Sequence, residues 1–349
     1  MLCVAFMIAH YILGLNQSWF MGAFFLCSGY VTAQSLDRSL SNANTAGRTR
    51  RSAIRSFLRG RALRLVVPAV AYTVFAEPLT RALAAGKPLT WEFFKTYLLS
   101  IRGIQGPAWF MATAFVFDSV QSAYTALDRP LVHISRYTPP LVLAALPIFK
   151  FFWARLFPLG SHIPLLHLHG AYAPQYALAY ATGVWLSSNP QLISSNLLNA
   201  RSKWRASPSP ALSLWLAYTL LLLALPLTRA VMYDPSPLFE GGNIQSLMYG
   251  IWNDLGFAAL THGALRVAEL FTDDRRFPQG ENRKPRVFPK LAYGAFLVHP
   301  VILTGLAVKL RGVELGPIVK TLVVGTLSTV ASFVVSAGLN RVPYIRNVV

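Results

Sequence analysis

Residues 316–338 read GPIVKTLVVGTLSTVASFVVSAG and carry a single charged side chain, Lys320. At 1.5 Å per residue, a helix of this length extends about 35 Å, enough to cross the ~30 Å hydrocarbon core of a bilayer. The run is continuously apolar and does not alternate, which favours a helix over a strand of a membrane barrel. The segment therefore predicts a transmembrane helix.

The composition of the whole chain agrees with that prediction. Of the 349 residues, 54% are hydrophobic and only 13% are charged, and the mean hydropathy is +0.44. Soluble domains carry about 25% charged residues, so this chain could not cover a soluble surface. Such an apolar chain also collapses, which excludes disorder. The two cysteines, Cys3 and Cys27, both lie in apolar runs, and we expect no disulfide scaffold.

Apolar runs recur along the sequence and predict an all-α, polytopic membrane helix bundle with about ten transmembrane helices, forming a single domain over residues 1–349. Tyr11–Asn16 is predicted to hold the end of the first span and a tight turn into the second, and the Arg-rich segment Ser39–Ser56 is predicted to be a flexible loop. The predicted spans are 1–15, 17–35, 62–81, 107–127, 141–158, 172–188, 211–227, 245–267, 288–308 and 316–338.

The net charge of +19 comes from basic residues that lie between the apolar runs. Counted loop by loop, 21 Lys and Arg fall in one alternating set of loops and seven in the other. Because basic loops stay in the cytosol and contact anionic lipid there, both termini are predicted to be cytosolic in a multi-pass protein. The basic residues lie between spans and do not form a basic face on a soluble domain, so we expect no nucleic-acid partner.

Ionisable groups within membrane spans are costly and are candidates for function. The histidines have no metal-ligand spacing, neither thiol has a cysteine partner nearby, and no metal is predicted. The loop histidines His162, His167 and His169 are interpreted as polar loop residues, with a transition-metal site as the alternative. The candidates within spans are His10, Asp118, Lys150, Asp254, His262 and His299.

Five short motifs follow one another along the chain, and each is weak alone. Together, in this order and spacing, they closely resemble the acyltransferase-3 family of integral membrane acyltransferases, over about residues 3–346. The motifs are Asn16–Tyr30, Phe57–Pro68, Gly106–Phe110, Pro174–Tyr176 and Tyr293–Pro300.

The resemblance implies an O-acyltransferase that moves an acyl group, often acetyl, from cytosolic acyl-CoA to a hydroxyl acceptor. Carbohydrates, lipid-linked molecules and secreted small molecules are the implied acceptors, and the class is that of transferases acting on groups other than amino-acyl groups. The bilayer, acyl-CoA as co-substrate and the acceptor are therefore the expected partners.

The family's first-span motif is an Arg, ten intervening residues and a His, and the His corresponds to His10. A neutral imidazole can take the proton of a hydroxyl as it attacks a thioester, so His10 is the implied general base. The alternative is a histidine that only bonds a neighbouring helix. The motif's Arg would fall before Met1 and the segment after His10 is short, so the chain resembles a family member with a shortened N-terminus.

Arg61 and Arg64 lie three residues apart on one helical face. They are predicted either to hold the phosphates of CoA or to anchor the helix at lipid phosphates. Trp109 and Phe110 are predicted to line the acceptor pocket or to be interfacial aromatics. His299 precedes Pro300 in a span, and either satisfies polar groups at the proline kink or lines the acyl pathway.

Two other classes of function stay open at this point. A catalytically inactive relative would keep the bundle while lacking the first-span Arg. A transporter of a small polar solute would explain the spans and the buried ionisable groups, but transporters usually show two related halves, and the sequence shows none.

Overall fold

The computed structural model describes residues 2–100, 103–127, 138–190, 210–224, 241–272 and 287–342. Within these ranges the side chains are described for all residues except 2–18, 138–140, 210–211, 223–224, 266–272 and 287–290. The described chain is almost entirely helical. Its helices are α1 (Leu2–Thr45), α2 (Arg50–Ala71), α3 (Glu77–Ala84), α4 (Trp91–Leu99), α5 (Ala108–Ala126), α6 (Thr138–Trp153), α7 (Ala173–Ser188), α8 (Pro210–Ala224), α9 (Ile244–Thr272), α10 (Val287–Lys309) and α11 (Pro317–Leu339).

Short irregular elements connect some of these helices. A π-helical turn, Tyr72–Ala76, joins α2 to α3 without a break in the helical path. A two-stranded hairpin, β1 (His162–Ile163) and β2 (Leu168–His169), is followed by a 3₁₀ turn at Gly170–Tyr172 that leads into α7. The predicted all-α class is confirmed, because this small hairpin is the only sheet in the described part of the chain.

The last seven predicted spans, from 107–127 to 316–338, each fall on a helix whose ends lie within a few residues of the prediction. The predicted span 62–81 lies inside a longer helical stretch, Arg50–Ala84, which begins twelve residues earlier. Continuous apolar runs bounded by Pro, Gly or charged residues give clear helix limits, so these boundaries could be predicted from the sequence. The number of helices that cross a bilayer, and the cytosolic location of both termini, remain predictions.

Two predictions near the N-terminus are wrong. Residues 11–16 are not a turn, because α1 runs unbroken from Leu2 to Thr45. The polar residues that follow can be accommodated in a helix, and the segment contains no proline to interrupt it. Ser39–Ser56 is not a flexible loop either: it is helical except for a short break at residues 46–49, where Gly47 has a φ of +64°.

The helices form two compact units, and the first comprises residues 1–54, 120–162 and 169–279. In this unit α1 packs against α7 and α9, and α9 also packs against α6 and α8. The ring of Phe25 on α1 stacks on Tyr176 of α7 at a centroid distance of 5.0 Å. Between α8 and α9, Trp215 and Trp252 form a second apolar contact, with the indole of Trp252 donating to the Thr219 hydroxyl at 2.9 Å.

Small residues allow α1 and α7 to approach closely. A Cβ placed on Gly29 would collide with the carbonyl oxygen of Tyr180, and one placed on Gly183 would collide with the carbonyl oxygen of Leu26. Glycine lets helix backbones meet in this way, and close backbone packing is a main source of helix association where lipid replaces water. The two glycines therefore set the distance between α1 and α7.

The second unit comprises residues 55–119, 163–168 and 280–349. Here α10 packs against α3 and α11, and the Tyr97 hydroxyl of α4 donates to the Thr73 carbonyl in the π turn at 3.1 Å. The Ser336 hydroxyl of α11 donates to the Leu291 carbonyl of α10 at 2.8 Å.

Helix α11 buries three of its serines and exposes several of its valines. Ser328, Ser332 and Ser336 are buried, whereas Val330 and Val334 are 58% and 66% exposed. A water-soluble protein buries valine and exposes serine, but a helix in lipid places small polar residues against its neighbours. This arrangement identifies the chain as a membrane protein.

Within the described residues, three helical stretches are long and apolar enough to cross a bilayer: Arg50–Ala84, Leu291–Lys309 and Pro317–Leu339. Shorter apolar helices occur at Leu141–Trp153 and Leu212–Leu222.

The close approach of α1 and α7 gives a first testable prediction. Gly29→Ala adds one methyl group where backbone already lies, so we expect the free energy of unfolding to fall by about 1–3 kcal/mol. Thermal unfolding of the purified protein in detergent measures the effect. Gly263→Ala on α9 is the matched control and should be neutral or slightly stabilising, because among the described residues no atom beyond the adjoining turns of its own helix lies within 4 Å of the new Cβ. Equal melting temperatures for the two variants would contradict the assignment.

Candidate functional site

The first of the two predicted CoA-binding arginines forms a buried ion pair. The Arg61 Nε–H on α2 donates to the Asp118 carboxylate on α5 at 2.5 Å. Asp118 has no exposed side-chain surface, whereas the Arg61 side chain is 18% exposed. Charge-assisted bonds of this kind are among the strongest in proteins, so Arg61 is fixed against α5.

The second arginine lies where a proline weakens α2. Pro68 has no N–H, so the carbonyl of Arg64, four residues earlier, loses its helical donor. The Tyr293 hydroxyl of α10 donates to that carbonyl at 2.5 Å and lies 3.0 Å from the sulfur of Met111. The Arg64 side chain itself is exposed. A side chain of α10 thus replaces one backbone bond of α2 directly beside the arginine pair.

The predicted acceptor-binding aromatics form part of a row of rings. Trp109 and Phe110 meet edge to face at 6.5 Å on α5, and Phe110 meets Phe296 of α10 edge to face at 6.4 Å. The Phe296 ring lies 5.7 Å from the His299 ring. Edge-to-face contacts at these distances are favourable beyond simple burial. The row therefore joins three of the predicted site residues in the second unit.

His299 takes the role of satisfying the proline kink. Pro300 removes the donor for the Phe296 carbonyl, and His299 Nδ1 lies 2.5 Å from that oxygen. A carbonyl can only accept, so Nδ1 carries the proton, and in the neutral ring Nε2 is the basic nitrogen. His299, the residue before Pro300, thus stabilises the kink. A role for His299 in the acyl pathway remains a prediction.

A group of polar side chains packs around the start of α5. Gly106, with φ +60°, approaches the Tyr72 ring so closely that a Cβ would lie 2.6 Å from it. Arg81 donates to Glu77 at 2.9 Å and also bonds Gln105, next to Gly106. Only glycine tolerates both this φ and this approach. The sequence analysis did not identify Glu77, Arg81 and Gln105; the only available signal was an acidic residue four positions before an arginine.

A second buried ion pair lies in the first unit. Lys150 on α6 donates to Asp254 at 2.9 Å and to Asn253 at 3.3 Å, both on α9. Nearby, the hydroxyls of Tyr172 and Tyr249 are 2.8 Å apart, and the Lys150 ammonium lies 5.7 Å from the centre of the Tyr172 ring. The sequence left the pairing of Asp118, Lys150 and Asp254 open, and the structure assigns both carboxylates a partner.

The loop histidines belong to the hairpin. The His162 and His169 rings are 4.3 Å apart, and His169 is 6.2 Å from the Tyr172 ring. In the described residues no group of three or more His, Cys, Asp or Glu side chains comes together in a way that could hold a metal ion.

The predicted base, His10, lies on α1 in the first unit. Its side chain falls outside the described side chains, so its assignment stays a prediction. Arg61, Arg64, Trp109, Phe110 and His299 all belong to the second unit, where contacts through α2, α5 and α10 bring them together.

The family model for the acyltransferase-3 acyltransferase domain matches residues 4–341. The chain belongs to the acyltransferase-3 family. This confirms the resemblance carried by the five motifs and supports a transferase. No significant match was found among curated proteins or solved structures.

In this acyltransferase-3 chain, the structure shows how residues of three family motifs contact one another. The Phe57–Pro68 motif carries the ion-paired Arg61 and Pro68, and Pro68 frees the Arg64 carbonyl to which Tyr293 donates. The Gly106–Phe110 motif supplies the positive-φ glycine and two rings of the aromatic row. The Tyr293–Pro300 motif supplies Tyr293, Phe296 and His299. Three motifs distant in sequence are thus one packing unit.

The Lys150–Asp254 pair predicts a large effect on stability. Lys150→Met leaves a buried carboxylate without its cation, and we expect unfolding to become easier by about 3–5 kcal/mol. Thermal unfolding in detergent is the measurement. The double change Lys150→Met with Asp254→Leu should recover much of the loss, because no charge is then left unpaired. Lys87→Met, at an exposed position, is the control. Similar stability for Lys150→Met and wild type would refute a structural role for the pair.

Proposed function

We propose that this protein is a multi-pass integral membrane O-acyltransferase that moves an acyl group, in the first instance acetyl, from acyl-CoA to a hydroxyl acceptor. The acceptor is a carbohydrate, a lipid-linked molecule or a secreted small molecule. The family supports acyl transfer, and the observation that carries the choice of donor is the arginine pair on α2, of which Arg61 is held by Asp118.

Arg61 and Arg64 bind CoA phosphate in this proposal. Arginine suits phosphate because its planar guanidinium offers several N–H donors in a fixed arrangement. The predicted orientation places this part of α2 near the cytosolic side, where acyl-CoA is found. The exposed side chain of Arg64 and the partly exposed side chain of Arg61 are accessible to a ligand.

Trp109, Phe110 and His299 line the path of the acceptor or of the acyl chain. Their support is the row of ring contacts through Phe296, which gives an apolar wall on α5 and α10. Apolar, aromatic walls with few polar groups are typical of small-molecule sites. The basic Nε2 of His299 adds one hydrogen-bond acceptor beside this wall.

His10 is the general base. It takes the proton of the acceptor hydroxyl while the hydroxyl oxygen attacks the thioester carbonyl. The carbon–sulfur bond then breaks, and the CoA thiolate leaves and is protonated. The neutral imidazole is the form that can accept this proton.

His10→Ala should abolish acyl transfer while leaving membrane insertion unchanged. A positioned base contributes about 10²–10⁴-fold to such a rate. The transfer rate of the variant should therefore be at least ~100-fold below that of wild type. Initial rates with radiolabelled acetyl-CoA in membranes containing equal amounts of each protein give the answer. His162→Ala in the hairpin is the histidine control, and this variant should keep wild-type activity. Full activity of His10→Ala would exclude His10 as the base.

Radiolabelled acetyl-CoA also separates the enzyme from a transporter. Purified protein in proteoliposomes should transfer the label to an added hydroxyl acceptor or hydrolyse the thioester. Counterflow of a polar solute with the thioester intact would show transport and reject the proposed reaction. Comparing metabolites by mass spectrometry in cells with and without the gene then identifies the acceptor.

A further inference from the structure

Asp118 is a buried carboxylate outside the five motifs. It has no exposed side-chain surface and accepts from Arg61 Nε at 2.5 Å. A ligand approaching the exposed part of α2 cannot touch a group this deeply buried. Asp118 can therefore act on a ligand through the arginine that it pairs with.

The ion pair is oriented. Its negative end is fully buried, while its positive end belongs to a side chain that is 18% exposed. Because the carboxylate is fully buried and the arginine side chain is not, an anion that approaches this part of α2 meets the arginine and not the carboxylate. The neighbouring Arg59 and Arg64, whose side chains are exposed, add further positive charge.

The pair also restricts a flexible side chain before a ligand arrives. A free arginine loses rotamer freedom when it binds phosphate, and this loss weakens binding. With Nε–H engaged by Asp118, the guanidinium plane is already fixed. The Tyr293 bond to the Arg64 carbonyl fixes the same stretch of α2 against α10, so both side chain and backbone are preorganised.

We propose that Asp118 is the positioning residue of the acyl-CoA phosphate site, holding the Arg61 guanidinium ready for a phosphate group. This inference rests on the proposed function, because it takes acyl-CoA as the donor. Asp118 touches neither the thioester nor the acceptor, so its contribution is to phosphate affinity and not to the chemical step.

The test compares a ligand that contains phosphate with one that does not. CoA and pantetheine share the thiol arm, and only CoA carries phosphates. Binding of each is measured on the purified full-length protein in detergent by titration calorimetry. Asp118→Asn should weaken CoA binding by about tenfold or more, as expected for loss of a charge-assisted contact, and should leave pantetheine binding unchanged. Where transfer is measurable, the KM for acetyl-CoA should rise while kcat stays near that of wild type.

Asp254→Asn is the matched control. It also neutralises a buried carboxylate that is paired with a cation, so it is expected to lower stability without changing the ratio of CoA to pantetheine affinity. If Asp118→Asn behaves like Asp254→Asn, Asp118 is only structural and the inference is overturned. Tighter CoA binding by Asp118→Asn overturns it as well, because the negative charge would then have been opposing the phosphate.

Asp118→Glu covers the case in which Asp118→Asn does not fold. It keeps the charge and shifts it by one methylene, so CoA binding should be intermediate between wild type and the loss of the pair, with pantetheine unaffected. Wild-type CoA affinity in this variant, combined with an unfolded Asp118→Asn, overturns the inference. Failure of the proposed function is a separate result: wild-type protein that binds CoA in a phosphate-dependent way but transfers no acyl group leaves the role of Asp118 intact.

Discussion

A carboxylate without exposed surface in a helix bundle requires a cation, and in this protein that requirement shapes the candidate site. Asp118 is paired with Arg61, and through this contact α5 holds α2 at the level of the arginine pair. An unpaired charge at this depth would cost several kcal/mol. The contact is therefore a condition for the fold of the second unit as well as a feature of the site.

The same rule applies in the first unit, with different consequences. Lys150 and Asp254 neutralise each other at the contact of α6 with α9, and both are almost fully buried. No family motif contains either residue, and their neighbours are tyrosines and an asparagine. The arginine of the Arg61–Asp118 pair thus lies on a helix that carries a family motif, and its side chain is partly exposed. Both members of the Lys150–Asp254 pair are buried.

The sequence predicted the long helices from residue 107 onward because continuous apolar runs leave few alternatives for the backbone in lipid. It did not predict the short helix Trp91–Leu99. It failed for residues 11–16 and 39–56, because polar residues were taken as helix breakers. Arg, Leu and Ala are good helix formers, and only the glycine at position 47 provides a stop. The family motifs identified Arg61, Arg64, Trp109, Phe110 and His299. The partners in the two ion pairs could not be predicted from the sequence, because their members are 57 and 104 residues apart along the chain.

The missing N–H of Pro68 has one mechanical consequence. At this point the continuity of α2 depends on a hydroxyl that belongs to α10, so the bend of one helix is coupled to the position of the other. A displacement of α10 would remove this hydroxyl, and the shape of α2 near Pro68 would then depend on its remaining backbone bonds and on the Arg61–Asp118 contact. A single tyrosine therefore links the curvature of one helix to the packing of another.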